Sequence, residues 1–280
     1  MRLRPLPVAV AAVLLVAAAC AGPDPGAGDP DAAGGPATGE DPGDLLIAGA
    51  ADLQPAFTLL AERFEDETGI EVVFDFGSSG QIAQRIIEGQ PVDLFASADA
   101  GFVDRVLAAG VGDPDSRRTY AVGRIVLWSD ADRSAGWTSL ADVAADDEVR
   151  NVAIANPEHA PYGTAGQQAL AATGTLDDLD GRLVFGENVA DTQRLIETGN
   201  ADAGIIALSL ALAADERGAG EWFLLDEDLH EPLQQDLVVT ATDAERAQRA
   251  QRFVDHVEAE AGRAVMRRFG FLRPDEERDG

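Results

Sequence analysis

Lysine is absent from this 280-residue chain. All 21 basic residues are arginine, and they stand against 50 acidic ones, for a formal charge of −29. So acidic a surface repels nucleic acid and anionic lipid headgroups, which excludes both as partners of the folded part. Cys20 is the single cysteine, so no internal disulfide can form. One cysteine and three scattered histidines give no zinc spacing. Two tyrosines, Tyr120 and Tyr162, are too few for a tyrosinate iron site. The Walker loop and the dinucleotide fingerprint are also missing. Gly77-Ser78-Ser79-Gly80 is not the Gly-x-Ser-x-Gly elbow of a hydrolase, and no histidine completes a nucleophile–base pair with it. A hydrolytic enzyme is therefore the least favoured of the readings considered, and no cofactor or free-cation site is expected.

Only one apolar run is long, Leu6 to Ala19, and it is short for a membrane span. Arg2 and Arg4 precede it, and Ala17-Ala18-Ala19-Cys20 closes it. That pattern resembles a bacterial lipobox and implies a signal peptide over residues 1–19, with Cys20 lipidated after cleavage. An ordinary secretion signal beside an incidental cysteine is the alternative. Cleavage removes Arg2 and Arg4 and takes the charge from −29 to −31. Residues 20–43 are rich in Gly, Pro and Asp and have no apolar period. They cannot bury enough surface to offset their ordering entropy, and they read as a disordered tether.

From residue 44 onward, short apolar runs alternate with helical spacing. Leu45–Gly49 reads as a buried strand. Leu53–Thr68 carries Leu53, Phe57, Leu60, Ala61 and Phe64 at helical intervals, with Gly69 as the stop. The same alternation continues through strands near 70–76, 92–98, 120–128, 151–155, 183–185, 203–207 and 236–240. The tail reads as two helices broken around Ala261-Gly262. Strand–helix alternation predicts an α/β fold whose mainly parallel sheets are flanked by helices.

Four of the turns between strand and helix share one chemistry: Ala48–Asp52, Gly77–Gly80, Ala160–Thr164 and Gly186–Ala190. Each is small or hydroxyl-bearing, none holds a basic residue, and each opens a helix. A helix start presents unpaired N–H groups and roughly half a positive charge. Such starts bind anions at the carboxyl ends of strands. Four of them together would supply roughly two positive charges, enough for a dianion without any cationic side chain. Taken singly, each turn reads first as a plain helix cap, and only the combination of four points to an anion.

The order of these turns resembles the molybdate-binding components of ABC importers (the ModA family). The resemblance runs from Leu45 to about Leu272 and is carried by Gly77-Ser-Ser-Gly-Gln-Ile-Ala-Gln-Arg-Ile86, Pro91-Val-Asp-Leu-Phe-Ala-Ser-Ala-Asp99, Asn156-Pro-Glu-His-Ala-Pro-Tyr-Gly163, Gly204-Ile-Ile-Ala-Leu208 and Arg268-Phe-Gly-Phe271. It implies a type II periplasmic-binding-protein fold of two lobes joined by two hinge strands. Lobe I would hold 44–121 and 239–280, and lobe II 122–238, with crossings near 122–127 and 235–240. It also implies a monomeric, extracytoplasmic lipoprotein, anchored through Cys20, that passes molybdate, or tungstate, to a membrane permease. Sulfate or phosphate is the alternative guest.

Residue by residue, the resemblance makes Ser79 a ligand through its hydroxyl and N–H, Val189 a ligand through its N–H, and Tyr162 a contact from the Ala-Pro-Tyr-Gly turn. Ala51 and Asp52 stand where relatives place serine, or threonine with asparagine. Ala207 stands where some members carry a second tyrosine. A carboxylate about 4 Å from a dianion costs about 8 kcal/mol at an effective dielectric of 20, so Asp52 is expected to turn back and cap its own helix, or else to be protonated. Asp93 and Asp99 are expected to be structural anchors. His159 is expected to be satisfied or exposed beside the third turn, and Trp128, Trp137 and Trp222 to be packing residues.

Overall fold

A computed structural model describes residues 43–131 and 136–274. The expected signal segment and Cys20 lie outside these residues, as does the tether apart from Gly43. Among the described residues no helix is long and apolar enough to cross a membrane.

Two five-stranded sheets organise the chain. The first contains β1 (Leu45–Ala50), β2 (Val72–Gly77), β3 (Leu94–Ser97), β4 (Arg118–Gly123) and β10 (Leu233–Val239), in the order β2-β1-β3-β10-β4. The second contains β5 (Ile125–Ser129), β6 (Val152–Ala155), β7 (Leu183–Gly186), β8 (Ala203–Ala207) and β9 (Glu221–Leu224), in the order β7-β6-β8-β5-β9. β1 pairs in parallel with β2 and β3, and β6 with β7 and β8. β10 is antiparallel to both its neighbours, and so is β5. Each sheet is therefore mixed, with one strand reversed, and each carries its helices as a separate lobe.

The helices are α1 (Gln54–Thr68), α2 (Ser79–Ile87), α3 (Ala100–Ala108), α4 (Leu140–Ala145), α5 (Pro161–Ala172), α6 (Val189–Glu197), α7 (Leu208–Asp215), α8 (Ala244–Glu258) and α9 (Glu260–Arg268). α1 buries Ala56, Phe57, Leu60, Ala61 and Phe64, the stripe its spacing predicts, and ends at Gly69 with φ of 70°. Its Phe57 and Phe64 meet Phe253 of α8 edge-on, with ring centroids 5.8 and 5.3 Å apart. Burying such a ring contributes about 1.5–3 kcal/mol, so this contact holds α8 to the first lobe.

The chain changes sheet first at Arg124, between β4 and β5. It returns between β9 and β10, within residues 225–232, ahead of the expected 235–240. The Leu-Gln-Gln-Asp-Leu-Val-Val run is a fully paired strand of the first sheet and not the crossing itself. The C-terminal break also falls earlier than Ala261-Gly262, at Ala259. Gly262 lies inside α9, where a Cβ would come within 2.2 Å of the His256 carbonyl oxygen. That glycine permits close packing of one helix on the last turn of the other.

Asp93 and Asp99 are anchors. Asp93 accepts from the Leu46 N–H and from Arg246, and Asp99 caps α3 through the Gly101 N–H. Trp128 is buried, whereas Trp222 lies half-exposed on the edge strand β9, among Phe223 and Leu224.

Candidate functional site

The carboxyl ends of β1, β2, β6 and β7 bring the four turns to one place. Ala51, Asp52, Ser79, Tyr162 and Val189 all line a single small cavity, together with Ala50, Gly77, Ser78, Ala98, Ala160, Pro161 and Asn188. The first lobe contributes the turns after β1 and β2, and the second those that open α5 and α6. The cavity is about 10 Å³, the room one water-sized guest needs. A tetrahedral oxyanion is larger than this and needs the walls to part. No arginine, lysine or histidine is among the lining residues.

Ser79 opens α2 and is buried. Its Oγ accepts from the Ala98 N–H at 3.0 Å, which directs the hydroxyl's own proton elsewhere. At α6, the Asn188 side chain accepts from the N–H groups of Ala190 and Asp191. The Val189 N–H, one residue before them, has no intrahelical partner by its place in the helix. α5 begins with Pro161, which lacks an N–H and supplies the fixed backbone angle of a first helical residue.

Of the two states expected for Asp52, the helix cap is not found. The residue is wholly buried, in a short 3-10 turn whose N-cap is Ala50, and no side chain caps that turn. Its carboxylate is held from both lobes instead. Oδ2 accepts from Tyr162 Oη at 2.9 Å and from Gln235 Nε2 at 2.6 Å. Oδ1 is buried with no hydrogen-bond partner. Burial pushes the Asp52 pKa up from 3.8 to about 6, against the opposing pull of Gln235, Tyr162 and the nearby N–H groups of Asp52 and Leu53. Neither of those N–H groups has hydrogen-bond geometry on Oδ1. Burial likewise raises the Tyr162 hydroxyl well above its ordinary value, with the Asp52 charge adding to the effect. In this arrangement the Tyr162 proton goes to Asp52, so Tyr162 reaches the cavity wall with its donor already engaged.

Further contacts join the lobes around the cavity. Ser209 Oγ donates to the Asp52 carbonyl at 2.7 Å. On the other side, the Gly80 N–H and Ser78 Oγ donate to the His159 carbonyl at 3.0 and 2.6 Å, and Gln81 Nε2 donates to Glu187. The His159 ring is also engaged, with Nδ1 2.9 Å from Ser78 Oγ. The serine's one proton is spent on the carbonyl, so Nδ1 is the protonated ring nitrogen of this pair. Sequence patterning gives no role in joining the lobes to Gln235, Ser209, Ser78 or Gln81. The one available signal was Gln235-Asp236, two polar residues inside an apolar strand that turn out wholly buried.

A groove of about 610 Å³ runs beside the cavity and shares Ala51 and Asn188 with it. Arg194 and Arg217 line this groove, paired with Asp191 and Glu197. Among the described residues no cluster of three or more His, Cys, Asp or Glu could hold a metal ion.

Comparison with known proteins gives a consistent result. The family of bacterial extracellular solute-binding proteins matches residues 45–272. The molybdate-binding protein of Rhodobacter capsulatus is 33% identical over 230 residues, 82% of this chain and 88% of that protein. The solved periplasmic molybdate-binding protein of Azotobacter vinelandii superposes with a TM-score of 0.76 at 32% identity, over 82% of this chain and all of that one. The sulfate-binding protein of Mycobacterium tuberculosis shares the fold, with a TM-score of 0.69 at 14% identity over 83% of this chain and 88% of its own.

Proposed function

Because this chain belongs to the bacterial extracellular solute-binding proteins, we propose that it captures molybdate between its two lobes and delivers it to the membrane permease of an ABC importer. One observation carries the reading: four helix starts, two from each lobe, surround one small buried cavity that holds no cationic side chain. Neutral donors suit a doubly charged guest that must later be released. Each N–H or O–H bond to the ion is worth only part of the binding free energy, and separating the lobes removes them as a group.

Ser79 serves as a hydroxyl donor and Val189 as an N–H donor, while Ala51 and Asp52 close the floor from the first lobe. Tyr162 acts through Asp52. Capture proceeds by closure. The contacts of His159 with Gly80 and Ser78, and of Ser209 with Asp52, form only when the lobes meet, so they count toward the closed state alone. Tungstate, of the same charge and shape, is expected to share the site. Sulfate is smaller and leaves the donors longer and weaker bonds.

Outside the described residues, Cys20 is the proposed site of lipidation. It would hold the chain at the outer face of the membrane, with residues 20–43 as a tether, and the protein acts there as a monomeric binder and not as an enzyme.

Calorimetry of the full chain against molybdate, tungstate, sulfate and phosphate tests the reading. Molybdate and tungstate are expected to bind one to one, with sulfate weaker by at least tenfold. Equal binding of sulfate, or binding of phosphate alone, would reassign the guest. Cys20→Ser is expected to move the chain from the membrane fraction to the soluble one.

A further inference from the structure

We propose that Asp52 meets the bound oxyanion as a neutral carboxylic acid whose Oδ1 proton is donated to the guest, so that capture of a dianion takes up one proton from solvent. The inference rests on the oxyanion reading above and adds a proton to it.

The geometry fixes which oxygen carries the proton. Both donors that reach the carboxyl, Tyr162 Oη and Gln235 Nε2, converge on Oδ2. The amide of Gln235 is held in that sense by its other end, because Oε1 accepts from Tyr120 Oη at 3.0 Å. Oδ2 is therefore an acceptor twice over and has no room for a proton. Oδ1 is left buried and unpartnered, on a residue that lines the cavity. As a carboxylate oxygen it lacks a donor, which is costly in the interior. As a hydroxyl it lacks an acceptor, and an oxyanion consists of acceptors.

Electrostatics chooses between the two forms. An ionised carboxylate beside a dianion in this cation-free cavity would weaken binding on the order of a million-fold at 4 Å and an effective dielectric of 20. Holding a proton at pH 7.5 on a group that titrates at about 6 costs only about thirtyfold. Protonation is the smaller cost by a wide margin.

The titratable groups that face Asp52 are Tyr162 from α5 and Tyr120 from β4, both raised well above their ordinary values by burial. β10 contributes the neutral Gln235, and α7 the Ser209 hydroxyl on the main-chain carbonyl. Asp236 of β10 acts on Tyr120 and is itself paired with Arg117 and Thr119. α1, α6 and β2 also pack on this turn and bring no group that shifts Asp52. The carboxyl is thus the one group at the cavity placed to take up the proton. The balance is simple: solvent gives one proton to Asp52 Oδ1 on capture and receives it back on release.

The test is titration of the full chain with sodium molybdate at pH 7.5 in two buffers of different ionisation enthalpy, then at half-unit steps from pH 6.5 to 9. Wild type is expected to take up close to one proton and to lose about tenfold in affinity per pH unit above 7. Asp52→Asn keeps an acceptor oxygen for Tyr162 and Gln235 and offers its amide N–H to the guest. It is expected to take up no proton, to show flat affinity across this range, and to bind at least tenfold more tightly than wild type at pH 8.5. Wild-type binding of molybdate without proton uptake and without pH dependence overturns the inference while leaving the functional reading intact. So does phosphate bound at pH 7.5 with no uptake, since the ionised carboxylate would then be taking the guest's own hydroxyl. No binding of molybdate, tungstate, sulfate or phosphate at any pH overturns the functional reading and this inference with it. The wild-type buffer pair decides the matter even where thermal unfolding shows the Asn variant to be misfolded.

Discussion

The Gly80 N–H donates to the His159 carbonyl at 3.0 Å, and a Cβ at Gly80 would stand 2.6 Å from that same oxygen. The two residues come from different lobes, at the start of α2 and in the turn before α5. The absence of a side chain at position 80 is therefore a condition for the lobes to meet at this distance. Real Cβ atoms do not approach an oxygen so closely, and the main chain on both sides is held by strand ends.

Gly80→Ala is accordingly expected to leave both lobes folded and to hinder their closure. Ligand affinity should fall by tenfold or more, while the melting temperature without ligand changes by only a few degrees. Small-angle scattering provides the check. Wild type should contract on adding molybdate, and the variant should contract less at saturation. Unchanged affinity would mean that the His159 turn moves aside at no cost.

Asp52 predicts a pH-dependent stability without any ligand. Its folded pKa, about 6, lies above the 3.8 of an unburied aspartate, so the folded state holds the proton more tightly than the unfolded one. The group costs nothing below pH 3.8, costs more as pH rises from about 4 to 6, and costs its full amount above 6. The full amount is roughly 3 kcal/mol. Asp52→Asn, which cannot ionise, is expected to be more stable than wild type at pH 7.5 by up to about that much, with the gain shrinking to nothing near pH 4. Urea unfolding of both chains at pH 4, 5.5 and 7.5 measures it, and a gain that is constant with pH would contradict the assignment.

Much of this architecture was legible because it follows local rules. The stripe of Phe57, Leu60 and Phe64 with Gly69 behind it gives α1 from spacing and a stop signal alone. The small turns without a basic residue are also legible as candidate anion sites. What local pattern could not supply was their meeting point, or what Asp52 does there. Its partners Tyr162 and Gln235 are 110 and 183 positions away, and no periodicity links residues that far apart in the chain. The expected helix cap failed for that reason: local capping was the best short-range use for the carboxylate, and a long-range pair of donors outcompeted it. β9 gives no sequence signal because Glu-Trp-Phe-Leu on a sheet edge is exposed on both faces and shows no alternation. The second crossing lies ahead of 235–240, and sequence does not show this because a strand paired on both sides and a hinge segment can share the same apolar spelling.

Gln235 is wholly buried and serves two partners, donating to Asp52 Oδ2 and accepting from Tyr120 Oη. Gln235→Leu fills the same space but strands the Tyr120 hydroxyl, at a cost of about 1–3 kcal/mol. It also removes the strongest hydrogen bond holding the Asp52 pKa down, so that pKa rises further and the penalty for ionising Asp52 grows. The destabilisation should therefore be larger at pH 8 than at pH 5. Equal loss at both would assign Gln235 to packing alone.

The last prediction concerns the rate of capture. The full chain carries −29, and −31 after loss of residues 1–19. The two arginines in the groove beside the cavity are each paired with an acid, so no local positive field offsets this charge on approach. A dianion is repelled over a distance set by the Debye length, roughly 30 Å at 0.01 M salt and 8 Å at 0.15 M. Adding sodium chloride over that range should therefore speed association, the opposite of the usual behaviour of steered pairs. Dissociation begins with contacts inside a closed cavity, beyond the reach of screening, and should barely change. Affinity is then expected to improve modestly with salt, wholly through the association rate. Stopped-flow fluorescence with molybdate, using Trp128, Trp137 and Trp222 as reporters, separates the two rates. An association rate that falls with salt would locate an unpaired positive field at the cavity mouth, contrary to the pairing of Arg194 and Arg217.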